Sequence, residues 1–189
     1  SLMIELTATD ISVDLNSIFE EILGANFENG SVLDAFIASN AQQAKQIWHV
    51  RHSVTEANKL EGMGLVHDVA VRVSKVPAFI AKAKEVTAEK FPMATPLLVN
   101  HLGDGNVHYN VVGLDAATQQ ALQVHGDAIS TCVYDTVDEF GGSISAEHGI
   151  GILKREELAA RKPVDIAVMR AIKQALDPKG IMNPRVLLG

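Results

Sequence analysis

The segment His101-Leu-Gly-Asp-Gly-Asn-Val-His108 constrains this chain most, because its centre fixes a turn and the turn then fixes its ends. Asp-Gly between alternating residues is a strong hairpin signal, since a two-residue type I′ turn needs positive φ at both central positions. With Asp104 and Gly105 as the loop, Gly103 faces Asn106, Leu102 faces Val107 and His101 faces His108. Directly opposed residues share a sheet face, with Cβ atoms about 4.5–5.5 Å apart. Two imidazoles held this way can share a metal ion, although structural or surface histidines fit the same spacing.

The rest of the chain alternates strand and helix patterns around that hairpin, which makes the expected class α+β with an antiparallel or mixed sheet. Strands are predicted at 4–9, 31–36, 67–73, 96–101 and 107–113, with a short one at 143–146. Helices are predicted at 13–23, from about residue 40, between residue 73 and Phe91-Pro92, and at 116–140, 153–160 and 164–176. A loop is expected at 62–64. On the second helix Ile47, Val50, Val54 and Ala57 form an apolar stripe, with Trp48, Arg51 and Thr55 on the neighbouring face. On the 116–140 helix, Leu122, Ile129, Val133, Val137 and Phe140 lie on one side, and Gly141-Gly142 ends it.

Composition limits the function classes. With 189 residues and 47% hydrophobic residues, the chain can bury a core and is read as a single domain, 1–189. A net charge of −7 argues against a nucleic-acid surface. No apolar run approaches the roughly 20 residues of a membrane helix. The first five residues lack the basic-then-apolar order of a secretory signal. Ser1-Leu2 ahead of Met3 reads as a cloning remnant, so a fragment is expected. A lone cysteine, Cys132, excludes an internal disulfide and suits a reducing, cytoplasmic setting; it is read as a small packing residue.

A metal held by His101 and His108 needs a third ligand. Glu147 is the best candidate, following Gly141-Gly142 at a strand end; an exposed carboxylate with no such role is the alternative. His148 is either that ligand or a base, since an imidazole with an ordinary pKa of about 6.5 accepts a proton at neutral pH. Gly149 and Gly151 would let a ring or substrate approach the backbone. Arg51 and Thr55, spaced i, i+4, make a carboxylate clamp, although an arginine alone is more often a solvated head on a packed stem. Asn110 shares the His108 face of its strand, opposite Val99 in the expected register. Asp104 is explained by the turn.

These residues resemble the C-terminal domain of flavin-linked oxidoreductases related to D-lactate dehydrogenase, glycolate oxidase and D-2-hydroxyglutarate dehydrogenase. The resemblance rests on residues 101–108, Ser-Ala-Glu-His-Gly-Ile-Gly at 145–151, and Lys154-Arg155. Leu176-Asp-Pro-Lys-Gly-Ile-Met-Asn-Pro184 and Arg51-His-Ser-Val-Thr-Glu-Ala57 complete it, and the set covers nearly the whole chain in the family's order.

The resemblance implies a cap domain with a ferredoxin-like antiparallel sheet, packed on an FAD-binding domain of the same polypeptide. It implies a divalent metal, zinc in the hydroxyglutarate branch, on His101, His108 and Glu147. His148 becomes the general base; Arg51, Thr55 and Asn110 contact substrate carboxylates; Asn183 lies near the flavin. The implied activity is FAD-dependent oxidation of a small D-2-hydroxy acid to the 2-oxo acid. The electron acceptor is left open, and a homodimer is compatible.

Two departures qualify it. Relatives often carry a lysine where Val66 precedes His67-Asp68, so a second substrate carboxylate is less securely held, which admits a monocarboxylate substrate or another cation in the lysine's place. No glycine-rich phosphate-binding loop occurs either, so the chain alone is expected neither to bind FAD tightly nor to turn over substrate. A flavin-independent metal hydrolase and a non-catalytic scaffold domain are the competing readings.

Overall fold

The structure, a computed structural model, describes residues 1–60, 62 and 64–188, which divide into two compact units. The expected loop at 62–64 includes Met63, which lies outside the described residues. The first unit, Ser1–Ala57, carries α1 (Leu15–Glu28) and most of α2 (Ala41–Leu60). Asp14 caps α1 by accepting the N–H groups of Asn16 and Ser17, each at 3.1 Å, satisfying donors that a helix start leaves unpaired. Asn40 does the same for α2 through the N–H of Gln43 at 3.0 Å.

The expected strands at 4–9 and 31–36 do not form. Alternation specifies which face a strand would bury, but a strand exists only when a partner satisfies its backbone, and none of the described residues pairs with these segments. The α2 stripe is only partly covered, with Ile47 and Val54 half-buried and Val50 68% exposed. Periodicity dictated the helix without dictating what packs on it.

The second unit, Asn58–Gly189, holds a three-stranded antiparallel sheet in the order β1-β3-β2: β1 (Asp68–Ala70), β2 (Thr95–His101) and β3 (Asn106–Val112). One sheet face presents Val69, Val107, Tyr109, Val111 and Leu98. Helices α3 (Val76–Lys90) and α4 (Ala116–Glu139) contribute Phe79 and Ala83, and Leu122, Ile129, Val133 and Val137, to the same core. Asp115 and Thr118 form a reciprocal capping box at the start of α4. The expected apolar side of α4 is buried, with Phe140 packed at its edge and Cys132 buried as a packing residue. Helices α5 (Arg155–Arg161) and α6 (Pro163–Leu176) follow.

The hairpin turn differs from expectation. His101 pairs with Asn106 and Val99 with His108, leaving a four-residue loop at 102–105. Asp104 does not take positive φ; its side chain accepts the N–H of Asn106 at 2.9 Å instead. Gly105 alone takes positive φ, 82°, and a Cβ there would stand 2.1 Å from the Val71 carbonyl oxygen. The loop thereby docks on Val71, whose N–H donates to the Gly105 carbonyl at 3.1 Å. The register slips by two residues, and because side chains alternate with period two, every residue keeps its predicted face.

Two smaller differences lie on either side of β1. The strand expected at 67–73 ends at Ala70, because a one-turn 3-10 helix, Val73–Lys75, intervenes before α3. The strand expected at 143–146 reduces to a single bridge, Ser143 to Ala70.

Candidate active site

The sheet face away from the core carries Asp68 on β1, His108 and Asn110 on β3, and His101 at the end of β2. Asp68 stands opposite His108, and Asn110 opposite Leu97 rather than Val99. His101 and His108 are now diagonal neighbours, yet their rings remain 5.5 Å apart in an edge-to-face arrangement. Diagonal positions lie about 7–8 Å apart across the strand pair, a gap that imidazoles still bridge.

After the bridge at Ser143, the chain crosses the end of β1, and Asp68 captures it. Its Oδ2 accepts three successive N–H groups, from Ala146 at 3.2 Å, Glu147 at 2.9 Å and His148 at 2.8 Å. A carboxylate with three backbone donors is strongly bound in its charged form. Burial pushes the Asp68 carboxyl up, but the His148 and Glu147 N–H groups and the neighbouring imidazoles outweigh it and hold it below the usual carboxylate range.

This clamp brings Glu147 and His148 to His108. The Nε2 of His108 lies 3.2 Å from Glu147 Oε1, and the His108 and His148 rings stack with centroids 5.5 Å apart. His148 Nε2 is 3.6 Å from the same Glu147 oxygen. Burial keeps the His108 pKa below its ordinary value, against the pull of Asp68 and Glu147. Gly149 and Gly151 take φ of 77° and 60°, with open space where a Cβ would stand.

Asp68, His108, Glu147 and His148 each offer a ligand atom within 4.8 Å of the others. Two imidazoles with carboxylates are a donor set for a borderline divalent ion such as zinc. The buried Oδ1 of Asp68 has no hydrogen-bond partner. The residues therefore fit a divalent metal. His101 adjoins this group through His108 rather than falling within it, and Asp68 was missed by reasoning from the sequence. The available signal was an aspartate directly ahead of Val69-Ala70-Val71, at the head of a strand otherwise apolar enough to be buried.

The C-terminal loop is tied to the same region. Leu187 donates its N–H to the Gly151 carbonyl at 3.0 Å, and Arg155 Nη1 donates to the Arg185 carbonyl at 3.0 Å. Lys154 Nζ donates to the Ile144 carbonyl at 3.2 Å. Asn183, Arg185 and Leu187 all have positive φ, a concentration of backbone strain typical of functional segments. Arg51 and Thr55 lie in the first unit on α2, Arg51 half-buried and Thr55 exposed.

A family model described as "FAD linked oxidases, C-terminal domain" matches residues 1–187. The chain belongs to this family. It is similar to D-2-hydroxyglutarate dehydrogenase of Stutzerimonas stutzeri, 36% identical over 158 residues that make up 83% of this chain and 34% of that protein. The enzyme of that name from Xanthomonas citri pv. viticola is 38% identical over 158 residues, covering 83% of this chain and 33% of that protein. The mitochondrial enzyme of Arabidopsis thaliana is 33% identical over 188 residues, covering 99% of this chain and 32% of that protein. The chain spans about a third of the length of these relatives. Membership agrees with the α+β fold and antiparallel sheet.

Proposed function

We propose that this chain is the substrate- and metal-binding part of an FAD-dependent dehydrogenase that oxidises a D-2-hydroxy acid to the 2-oxo acid. The observation that carries the proposal is the Asp68 clamp, which sets Glu147 and His148 beside His108 on an open sheet face. The relatives' names support the hydroxy-acid substrate class.

In this reading His101, His108 and Glu147 hold a divalent metal, zinc by preference for their ligand types. When bound, the metal supplies a Lewis acid for the substrate's oxygens, and FAD, held chiefly by the remainder of the polypeptide, supplies the hydride acceptor. His148 accepts the hydroxyl proton at Nε2, with Nδ1 turned toward Asp68, 3.8 Å away. Asn110 contacts a substrate carboxylate, and Asn183 contacts the flavin. The buried, unpaired Cys132 supports a reducing, cytoplasmic setting.

The test uses the full-length protein with a panel of D-2-hydroxy acids and an artificial electron acceptor. Turnover that needs flavin is expected, with His148→Asn lowering kcat about 10²–10⁴-fold, the usual contribution of a general base. Hydrolysis of esters or amides by flavin-free protein would overturn the proposal in favour of a metal hydrolase. No turnover of any kind, with His148→Asn indistinguishable from the parent, would favour a scaffold.

A further inference from the structure

We propose that Asp68 is a positioning residue that sets the tautomer of His108, fixing the proton on Nδ1 and leaving the Nε2 lone pair free toward Glu147. The part of this proposal that concerns metal rests on the functional reading above; the tautomer itself does not.

The two oxygens of Asp68 have different surroundings. Oδ2 is fully engaged by the N–H groups of Ala146, Glu147 and His148. Oδ1 is buried, has no hydrogen-bond partner, and faces Nδ1 of His108 at 3.6 Å. A neutral imidazole has one N–H to place on either of two nitrogens. Both nitrogens of His108 face carboxylates, but the two carboxylates differ. The Asp68 side chain is 1% exposed, whereas that of Glu147 is 52% exposed and can be solvated. Leaving a buried charged acceptor unsatisfied costs more than leaving an exposed one, so the proton belongs on Nδ1, where a small closure completes the bond.

The consequence lies on the other side of the ring. With Nδ1 protonated, Nε2 and Glu147 Oε1 are two acceptors facing each other at 3.2 Å. Two acceptors at that distance repel, and a cation shared by both removes the repulsion. Asp68 thus performs two tasks with one carboxylate: Oδ2 anchors the backbone that brings Glu147, and Oδ1 orients the imidazole that faces it. A carboxylate behind a metal-binding histidine is a general way of fixing ring and tautomer.

Long-range proton–nitrogen correlation spectra of the isotope-labelled chain, without metal at mildly alkaline pH, read the tautomer directly. His108 is identified by the signals lost in His108→Gln. The expected result is a protonated Nδ1 and a bare Nε2; a protonated Nε2 overturns the proposal. Asp68→Asn separates the two tasks, since its amide oxygen can still accept the backbone N–H groups while its NH2 turns toward His108. That variant is expected to reverse the tautomer and weaken zinc binding about tenfold or more, the usual effect of losing such a partner. Unchanged tautomer and unchanged zinc affinity in a folded Asp68→Asn would also overturn the proposal. Should that variant not fold, the parent spectrum decides. A parent that binds no zinc but shows the Nδ1 proton retains the assignment and removes the metal reading instead.

Discussion

Asp177 accepts the backbone N–H of Met182 at 2.9 Å through Oδ2 and that of Ile181 at 3.0 Å through Oδ1, closing the segment that delivers Asn183. Lys173, one turn earlier on α6, donates to the same Oδ2 and to the Met182 carbonyl. The lysine above all, then the Met182 N–H, holds the Asp177 carboxyl below the usual range. Its stabilising effect is therefore present above the ordinary carboxylate pKa and is lost as pH falls through the depressed one. Asp177→Ala is expected to speed hydrogen exchange at the amides of Ile181 and Met182 while leaving α4 protected. Asp177→Asn, which keeps acceptor capacity but not the charge, should fall between. Equal protection in all three proteins would rule out the clamp.

His67 gives a separate pH dependence. Its Nδ1 donates to the Tyr109 carbonyl at 2.7 Å, and its Nε2 then accepts from Ser130 Oγ at 3.0 Å, with the Tyr134 ring edge-on at 5.5 Å. Burial above all pushes its pKa down to about 4. The unfolded chain, with an ordinary imidazole, binds more protons than the folded one between these values. The contribution is complete above about pH 6.5 and is lost as pH falls toward about 4, amounting to about 3 kcal/mol at the acid end. Urea titrations across this range should show the slope, and His67→Gln should flatten it. An unchanged slope in a folded variant would assign the dependence elsewhere.

Face assignments were legible in the sequence where register was not. Asp-Gly signalled a reversal, and period-two alternation then protected His101, His108 and Asn110 against the two-residue slip. The turn type depended on Gly105 docking against Val71, a contact between segments far apart in sequence. Asp68 was not legible in the sequence for a similar reason. Its partners are backbone N–H groups at 146–148, which no residue type announces. The ends of α4 were clear because caps are local chemistry, Asp115 with Thr118 at one end and Gly141 with positive φ at the other.

Arg161 joins α4 to α5, donating to Asp138 at 2.5 Å, Asp135 at 2.8 Å and Glu157 at 2.6 Å. Burial opposes its charge, but these three carboxylates outweigh burial and hold its pKa above the ordinary value. Its partners are partly exposed, so solvent screens part of the attraction. Arg161→Ala is expected to cost about 2 kcal/mol. Arg161→Lys should recover less than half, because one ammonium cannot reach three carboxylates in the geometry of a guanidinium fork. The urea midpoint should fall with an unchanged slope, which marks lost stability rather than an altered unfolded state. A midpoint unaffected by Arg161→Ala would show the network to be inert.

The pairing of Leu65 with Val111 and of Asp68 with His108 follows one register, which sets Val66 opposite Asn110. Val66 is 59% exposed, on the face that carries the proposed site. A cation there would stand beside Asn110, where a second carboxylate of a longer substrate could meet it. A charge-assisted hydrogen bond contributes about 1.5–3 kcal/mol, equivalent to about a tenfold to hundredfold change in kcat/KM. In the full-length protein, Val66→Lys is therefore expected to raise the ratio of kcat/KM for D-2-hydroxy dicarboxylates over monocarboxylates by about tenfold or more. Because the position is exposed, stability should change by no more than about 0.5 kcal/mol. A ratio that stays constant in a variant of unchanged Tm would exclude Val66 from substrate selection and place carboxylate recognition elsewhere.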